Sequence, residues 1–272
     1  MKHTHALLAL VFAVAAFGAA AQTPANPIEP GLRAAQRGDY ATARKLWLPL
    51  AEQGNTDAQN NIGVMFERGW GVPRDAVKAV EYYTQSAKAG NSAAQNNLGV
   101  AYERGVGVPA RDPATAAQWY AKAAAGGDLN AQDNLGVLYE RGEGVPKDLA
   151  MALRWYSAAA AKNHPSAQNN VGVMLERGNG VPADVVKAAA WYRKAAGQNH
   201  AAAQNNLGVL YGTGRGVKED LVTANFWFTL AARGGSVNGA TNRDATNRKL
   251  NDTQRAEVQQ MLARWQNRNT KS

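Results

Sequence analysis

Four glutamates recur at matched places in this chain, Glu67, Glu103, Glu140 and Glu176, each followed directly by an arginine. A carboxylate can act as a general acid or base, but that chemistry sets two carboxyls at a defined separation across a substrate. Spread singly along the chain, each beside a guanidinium, these four read as solvated or paired charges. His164 and His200 occupy equivalent turns. A metal site draws three or four ligands from His, Cys and carboxylates, and the chain has no cysteine, so the two histidines read as surface turns. Glycine pairs such as Gly69 and Gly71 resemble a phosphate-binding loop, yet they follow a helical pattern and lack the Lys-Ser/Thr pair that such a loop needs. No Ser-His-Asp arrangement can be argued. These residue types assign no catalytic residue, no cofactor and no metal ligand, and the expectation is that the protein is not an enzyme.

Recognition is the chemistry that remains. The motif A-Q-N-N-Φ-G-V, with Φ apolar and one Asn replaced by Asp, occurs five times, its glutamines at Gln59, Gln95, Gln132, Gln168 and Gln204. The steps are 36, 37, 36 and 36 residues, a period that marks one supersecondary unit stacked on itself. At 100° per residue on a helix, Asn60, Val64 and Glu67 form one row. The row returns as Asn96, Val100 and Glu103, as Asp133, Val137 and Glu140, and as Asn169, Val173 and Glu176, and ends incompletely at Asn205, Val209 and Gly212. A second file runs through Asn61, Asn97, Asn134, Asn170 and Asn206. The amides could hydrogen-bond an extended backbone while each valine supplies an apolar contact. The same asparagines could instead bond between adjacent helices, and the spacing leaves both readings open.

The elements that carry this row follow from the first full repeat. Residues 58–68 predict a short helix, A, with Ala58, Ile62, Met65 and Phe66 on one face. Gly69 can close its C-terminus in the left-handed conformation, and Pro73 cannot continue it. Asp75 is a good N-cap for a second helix, B, and the cap returns as Asp112, Asp148, Asp184 and Asp220. Helix B carries an aromatic pair, Tyr82-Tyr83, Trp119-Tyr120, Trp155-Tyr156, Trp191-Tyr192 and Trp227-Phe228, read as core between helices rather than a stacking ladder for ligand. Gly63, Gly99, Gly136, Gly172 and Gly208 lie inside helix A. A mid-helix Gly costs about 1 kcal/mol against Ala, so five at one position imply close helix approach.

Composition sets the surroundings. Lys2, an apolar run over Ala6–Phe17 and the small residues Ala19, Ala20 and Ala21 predict a signal peptide over residues 1–21, cut between Ala21 and Gln22. The mature chain is then periplasmic or secreted, with no integral membrane span. Net charge is +9. From Arg233 onward eight cations face three anions, which reads as a solubilising cap or as attraction to an anionic partner. No nucleic-acid recognition motif is present.

The chain resembles the Sel-one-like repeat family, relatives of the tetratricopeptide repeat, through AQNNLGVAYERGVGVPARD…AAQWYAKAA from Ala94 and AQDNLGVLYERGEGVPKD…ALRWYSAAA from Ala131. The likeness implies an all-α solenoid of αα-hairpins in a right-handed superhelix, with the A helices lining a concave groove. It implies a noncatalytic scaffold or adaptor, and its exported bacterial members look like envelope regulators and assembly factors. The expected organisation is a flexible segment over 22–30, a partial repeat over 31–56, five repeats over 57–240, and a capping helix with a basic tail over 241–272. Gly212-Thr213 replace Glu-Arg in the fifth repeat, which puts its share of a common surface in doubt. The expected partner is an envelope protein or peptide segment held by fifteen row and file residues, the twelve row residues from Asn60 through Glu176 together with Asn97, Asn134 and Asn170 of the file. The alternative is peptidoglycan or an acidic polysaccharide, and a hydrolase using the groove carboxylates is the third reading.

Overall fold

The computed structural model describes residues 26–269. The expected signal peptide and its cleavage point lie outside the described residues. Those residues form helices and no strand, and no helix among them is long and apolar enough to cross a membrane. The chain divides into two compact units, one ending at Lys147 and the other starting at Asp148.

The first unit holds α1 (Glu29–Gln36), α2 (Tyr40–Glu52), α3 (Thr56–Arg68), α4 (Ala76–Lys88), α5 (Ser92–Arg104), α6 (Pro113–Ala125) and α7 (Leu129–Arg141). The second holds α8 (Leu149–Ala161), α9 (Pro165–Arg177), α10 (Val185–Gly197), α11 (Ala201–Thr213), α12 (Leu221–Arg233), α13 (Val237–Asn247) and α14 (Asp252–Asn269). Within each unit, neighbours in sequence are neighbours in space, except that the last helix, α14, packs against α12 rather than α13. This is the αα-hairpin solenoid arrangement, with A helices α3, α5 and α7 in one unit and α9 and α11 in the other.

Local chemistry fixes the helix ends. Every predicted aspartate cap is in place: Asp75, Asp112, Asp148, Asp184 and Asp220 each accept a backbone N–H from the first turn of a B helix, as does Asp39 before α2. The A helices close on Gly69, Gly105, Gly142, Gly178 and Gly214, all left-handed with φ of 66–72°. The next glycine in each loop answers a different demand. A Cβ on Gly107 would lie 2.1 Å from the carbonyl oxygen of Ala76, and one on Gly144 would lie 2.2 Å from the carbonyl carbon of Pro113. The loop of one hairpin therefore rests on the first turn of the preceding B helix.

The second member of each aromatic pair is deep core, and the first is buried as well only in the last pair, at Trp227. Tyr120, Tyr156 and Tyr192 are fully buried, and Tyr83 and Phe228 nearly so. Tyr82, Trp119, Trp155 and Trp191 are partly exposed. Lys122 stands 4.1 Å over the Trp119 ring and Lys194 stands 4.0 Å over Trp191. Successive residues on a helix point 100° apart, so a pair cannot face one neighbour together. At the C-terminal end, Leu250, Val258 and Leu262 are buried, and Trp265 packs edge-on against Phe226 and Trp227 of α12. An apolar end of a hairpin stack needs such a cover.

His164 and His200, expected as surface turns, are helix N-caps. Their Nδ1 atoms accept the backbone N–H of Ala167 (3.3 Å) and Ala203 (3.2 Å), the role that Asn55 and Asn91 play at α3 and α5. Burial disfavours the charged imidazole, so the His164 pKa falls to about 4 and that of His200 falls as well. The unfolded chain then binds more protons than the native one below the ordinary histidine pKa of about 6.5. Stability contributed by these caps is complete above that value and drains away as pH falls toward about 4. Urea melts at stepped pH are expected to show a loss on the order of 3 kcal/mol from His164 across this window, with a further loss of the same sign from His200. The double variant His164→Asn/His200→Asn retains an acceptor cap that does not titrate there, and its profile should be markedly flatter.

Candidate functional site

The repeated motif is explained by the contacts it makes between hairpins. Its alanine is Ala58, Ala94, Ala131, Ala167 and Ala203, all fully buried, where a larger side chain would push helices apart. Its glutamine closes the preceding B helix. Gln59, Gln95, Gln132, Gln168 and Gln204 donate from Nε2 to the carbonyls of Ala51, Ala87, Ala124, Ala160 and Ala196 at 3.1–3.3 Å. Those carbonyls belong to the last turn of each B helix, where each also accepts the backbone N–H three residues on, so the glutamine fills their second lone pair.

The two asparagines form a ladder. In the first unit Asn97 Nδ2 donates to Asn60 Oδ1 (2.9 Å), and Asn134 Nδ2 donates to Asn96 Oδ1 (3.1 Å). In the second unit Asn206 donates to Asn169 (3.0 Å), and Asn242 on α13 donates to Asn205 (3.0 Å). The second amide of one A helix thus meets the first amide of the A helix before it. Asn61 would make the same bond to an N-terminal neighbour. Gly31 lies against the Trp47 ring as Gly63 lies against Tyr83, so the counterpart of Asn60, three residues before that glycine, is Ile28, an apolar side chain with no amide oxygen to offer. Asn61 is buried with neither side-chain polar atom hydrogen-bonded.

The motif glycine makes room for a ring. A Cβ on Gly63, Gly99 or Gly172 would stand 2.6 Å from the ring of Tyr83, Tyr120 or Tyr192, and one on Gly208 would stand 2.7 Å from Phe228. The close approach expected at these glycines is therefore that of helix B's ring onto helix A. Each tyrosine hydroxyl then donates to the glutamate of the row: Tyr83 to Glu67 (2.6 Å), Tyr120 to Glu103 (2.6 Å) and Tyr192 to Glu176 (2.7 Å). Burial first, and the adjacent carboxylate second, push the hydroxyl pKa of Tyr83 and Tyr120 well up. The glutamates accept from phenols, where the sequence pattern had pointed to the arginines beside them. In the fifth repeat Gly212 replaces Glu and Phe228 replaces Tyr, so acceptor and donor are absent together.

Of the fifteen row and file residues, seven are buried: Asn60, Val64, Asn96, Asn97, Val100, Asp133 and Asn169. The other eight, Glu67, Glu103, Asn134, Val137, Glu140, Asn170, Val173 and Glu176, are partly exposed. Close packing of successive A helices draws the row inward. What stands fully outside is a set of arginines in the last turn of the A helices, Arg68, Arg104, Arg141 and Arg177. The structure gathers three of the fifteen at one place. Glu67, Asn97 and Val100 line a cleft of about 90 Å³ with Arg74, Val80, Tyr83, Arg104 and Val106. Drug-sized ligand sites run to about 300–1,000 Å³, so this cleft takes a side chain rather than a cofactor. Arg74 and Val106 come from loops, and their convergence with Arg104 depends on the stacking of two hairpins, which no single-helix projection displays.

Removing a donor from the ladder is expected to cost more than removing an amide that has no partner. Asn97→Leu leaves the Asn60 oxygen buried and unpaired, with an expected loss of about 1–3 kcal/mol. Asn61→Leu deletes two unsatisfied atoms and should be neutral or stabilising. Chemical denaturation of the two variants beside the parent measures both.

Six successive segments match the Sel1 repeat model: residues 29–55, 56–91, 92–128, 129–164, 165–200 and 201–236. No functionally curated protein matches the chain. Among solved structures, a Sel1 repeat protein from Oxalobacter formigenes is 35% identical with a TM-score of 0.73, over 78% of this chain and 86% of that one. The immunity protein Pa5087 from Pseudomonas aeruginosa is 20% identical with a TM-score of 0.56, over 80% and 86%. A Sel1 repeat protein from Klebsiella pneumoniae is 20% identical with a TM-score of 0.51, over 74% and 97%. The last two likenesses concern the fold alone. Members of the matched family generally mediate protein–protein interaction and are typically noncatalytic repeat scaffolds. With six of its repeats in tandem, this chain belongs to the Sel1 repeat family.

Proposed function

We propose that this protein is a noncatalytic interaction scaffold of the bacterial cell envelope, and that it holds a partner protein against the outward edges of its A helices. One observation carries the reading. The polar residues of the motif are spent inside the stack, on carbonyls, on one another and on tyrosine hydroxyls, while guanidinium groups line the rim. Among the described residues Arg68, Arg104 and Arg177 have no ion pair, and Arg141 reaches Glu143 only at 3.8 Å. Exposed charges of one sign raise encounter rates and select a partner of the other sign. Of the fifteen row and file residues, the eight partly exposed ones are placed to touch a bound chain, and the seven buried ones hold the helices that present them. The envelope assignment rests on the N-terminal sequence and on the absence of cysteine. Peptidoglycan binding loses the support of the asparagines, which serve the ladder, and retains only the basic C-terminal end.

The test is a charge-reversal variant in the first unit, Arg68→Glu/Arg104→Glu/Arg141→Glu, compared with the parent in crosslinking capture from envelope extracts. The variant is expected to keep its circular dichroism spectrum and to lose its captured partner by about tenfold or more, the equivalent of 1.4 kcal/mol. Equal capture by a folded variant would remove this face from consideration. Sedimentation with purified cell wall that resists raised salt would favour the polysaccharide alternative instead.

A further inference from the structure

The five places where a loop meets the preceding hairpin are equivalent in sequence, and three of them are filled by an ionic or aromatic contact of the chain itself. The filling position is Trp70, Val106, Glu143, Asn179 and Arg215. Trp70 stacks on Tyr40, with ring centroids 4.9 Å apart and planes 13° from parallel. Glu143 pairs with Arg111 and lies 3.8 Å from Arg141. In the second unit Arg215 reaches Glu176 at 3.1 Å. Val106 and Asn179 make no such contact, and Val106 is 42% exposed.

Of the two unfilled places, the one at Val106 is the cleft that Glu67, Asn97 and Val100 share. Its cations are the direct counterparts of the pair that grips Glu143. Arg74 donates from Nε to the Glu67 carbonyl (3.0 Å), just as Arg111 donates to the Glu103 carbonyl (2.9 Å). Arg104 ends α5 as Arg141 ends α7. Among the described residues neither Arg74 nor Arg104 has an ion pair. One oxygen of Glu67, the carboxylate that lines this cleft, accepts from Tyr83. The remaining walls are apolar: Ala79, Val80, Val100, Ala101 and Val106. Two guanidinium groups beside an aliphatic hollow with room for one side chain recognise a carboxylate attached to an aliphatic neighbour.

We propose that this cleft is a docking site for an acidic segment of a partner protein, in which an Asp or Glu supplied in trans takes the place that Glu143 takes in the next repeat, while an adjacent aliphatic side chain covers Val106. The proposal rests on the interaction reading above and names the chemistry of the partner. Arg74 and Arg104 hold the carboxylate; Val80, Val100 and Val106 receive the aliphatic group.

The experiment is a methyl-labelled NMR titration of the full chain with two probes, acetyl-Gly-Leu-Glu-Gly-amide and its Gln counterpart. The Glu peptide is expected to shift the methyls of Val80, Val100 and Val106 with a Kd on the order of 1 mM, and the Gln peptide to bind about tenfold more weakly. Val106→Glu supplies the missing carboxylate in cis and should abolish these shifts. Glu143→Val empties the next place and should create a second responding set at Val137 and Leu138. Equal response to both peptides, shifts that survive in folded Val106→Glu, or no response at a peptide concentration of about 10 mM would each overturn the proposal. Capture of the natural partner that is lost in the arginine-reversal variant but intact in Val106→Glu would leave the scaffold reading standing and remove this cleft from it.

Discussion

A side-chain amide taken out of water must find a hydrogen-bond partner or cost about 1–3 kcal/mol, and in this chain the partner of each ladder donor sits one hairpin away. Asn97, Asn134, Asn206 and Asn242 all reach back across an A-helix contact. The glutamine beside them reaches back to the preceding B helix. Dispersion and apolar burial favour close packing of helices but tolerate sliding, whereas paired amides fix a register. The motif's polar letters therefore hold one hairpin against the next, and its apolar letters fill the space so defined. That division bears on function: a surface whose polar groups are bonded to one another offers few donors to a ligand, which is why the proposed docking falls on the rim and on a junction left unfilled.

The glutamate–tyrosine pairs make the same point from within the chain. A carboxylate one residue before an exposed arginine invites a reading as a surface charge or as half of an acid/base couple. In the structure its partner is a buried phenol, and where the glutamate gives way to Gly212 the phenol gives way to Phe228. A residue needed for a ligand would have no reason to vanish in step with a hydroxyl on the next helix. Its arginine neighbour has the opposite fate. Placed in the last turn of an A helix, it complements the negative end of the helix dipole and remains open to solvent, so the residue passed over in the pattern is the one available to a partner.

Much of the fold was legible because its signals are local. The period, the aspartate caps, the left-handed glycines and the apolar face of helix A each depend on a few neighbouring residues, and each is found where the spacing puts it. The candidate site was less legible. A helical projection showed Asn60, Val64 and Glu67 on one arc, but it could not show that the next A helix covers that arc. It gave two readings of the asparagines, a groove for an extended backbone and a ladder between helices, and the geometry supplies the ladder. His164 and His200 were placed in turns, but their capping role needed the Nδ1 to backbone distance. The junction at Val106 depends on a loop, a helix end and the preceding hairpin meeting at once, so no single motif encodes it.

The account turns on whether the motif amides are engaged between hairpins in solution, and their own hydrogen exchange reports it. With the side-chain amide resonances assigned, Asn97, Asn134, Asn206 and the glutamines Gln95 and Gln168 should exchange slowly, protected to nearly the same degree as the backbone amides of the helices that carry them. Exchange of those side-chain amides at the rate of a free primary amide, while the helical backbone stays protected, would contradict the ladder and return the asparagines to the open surface.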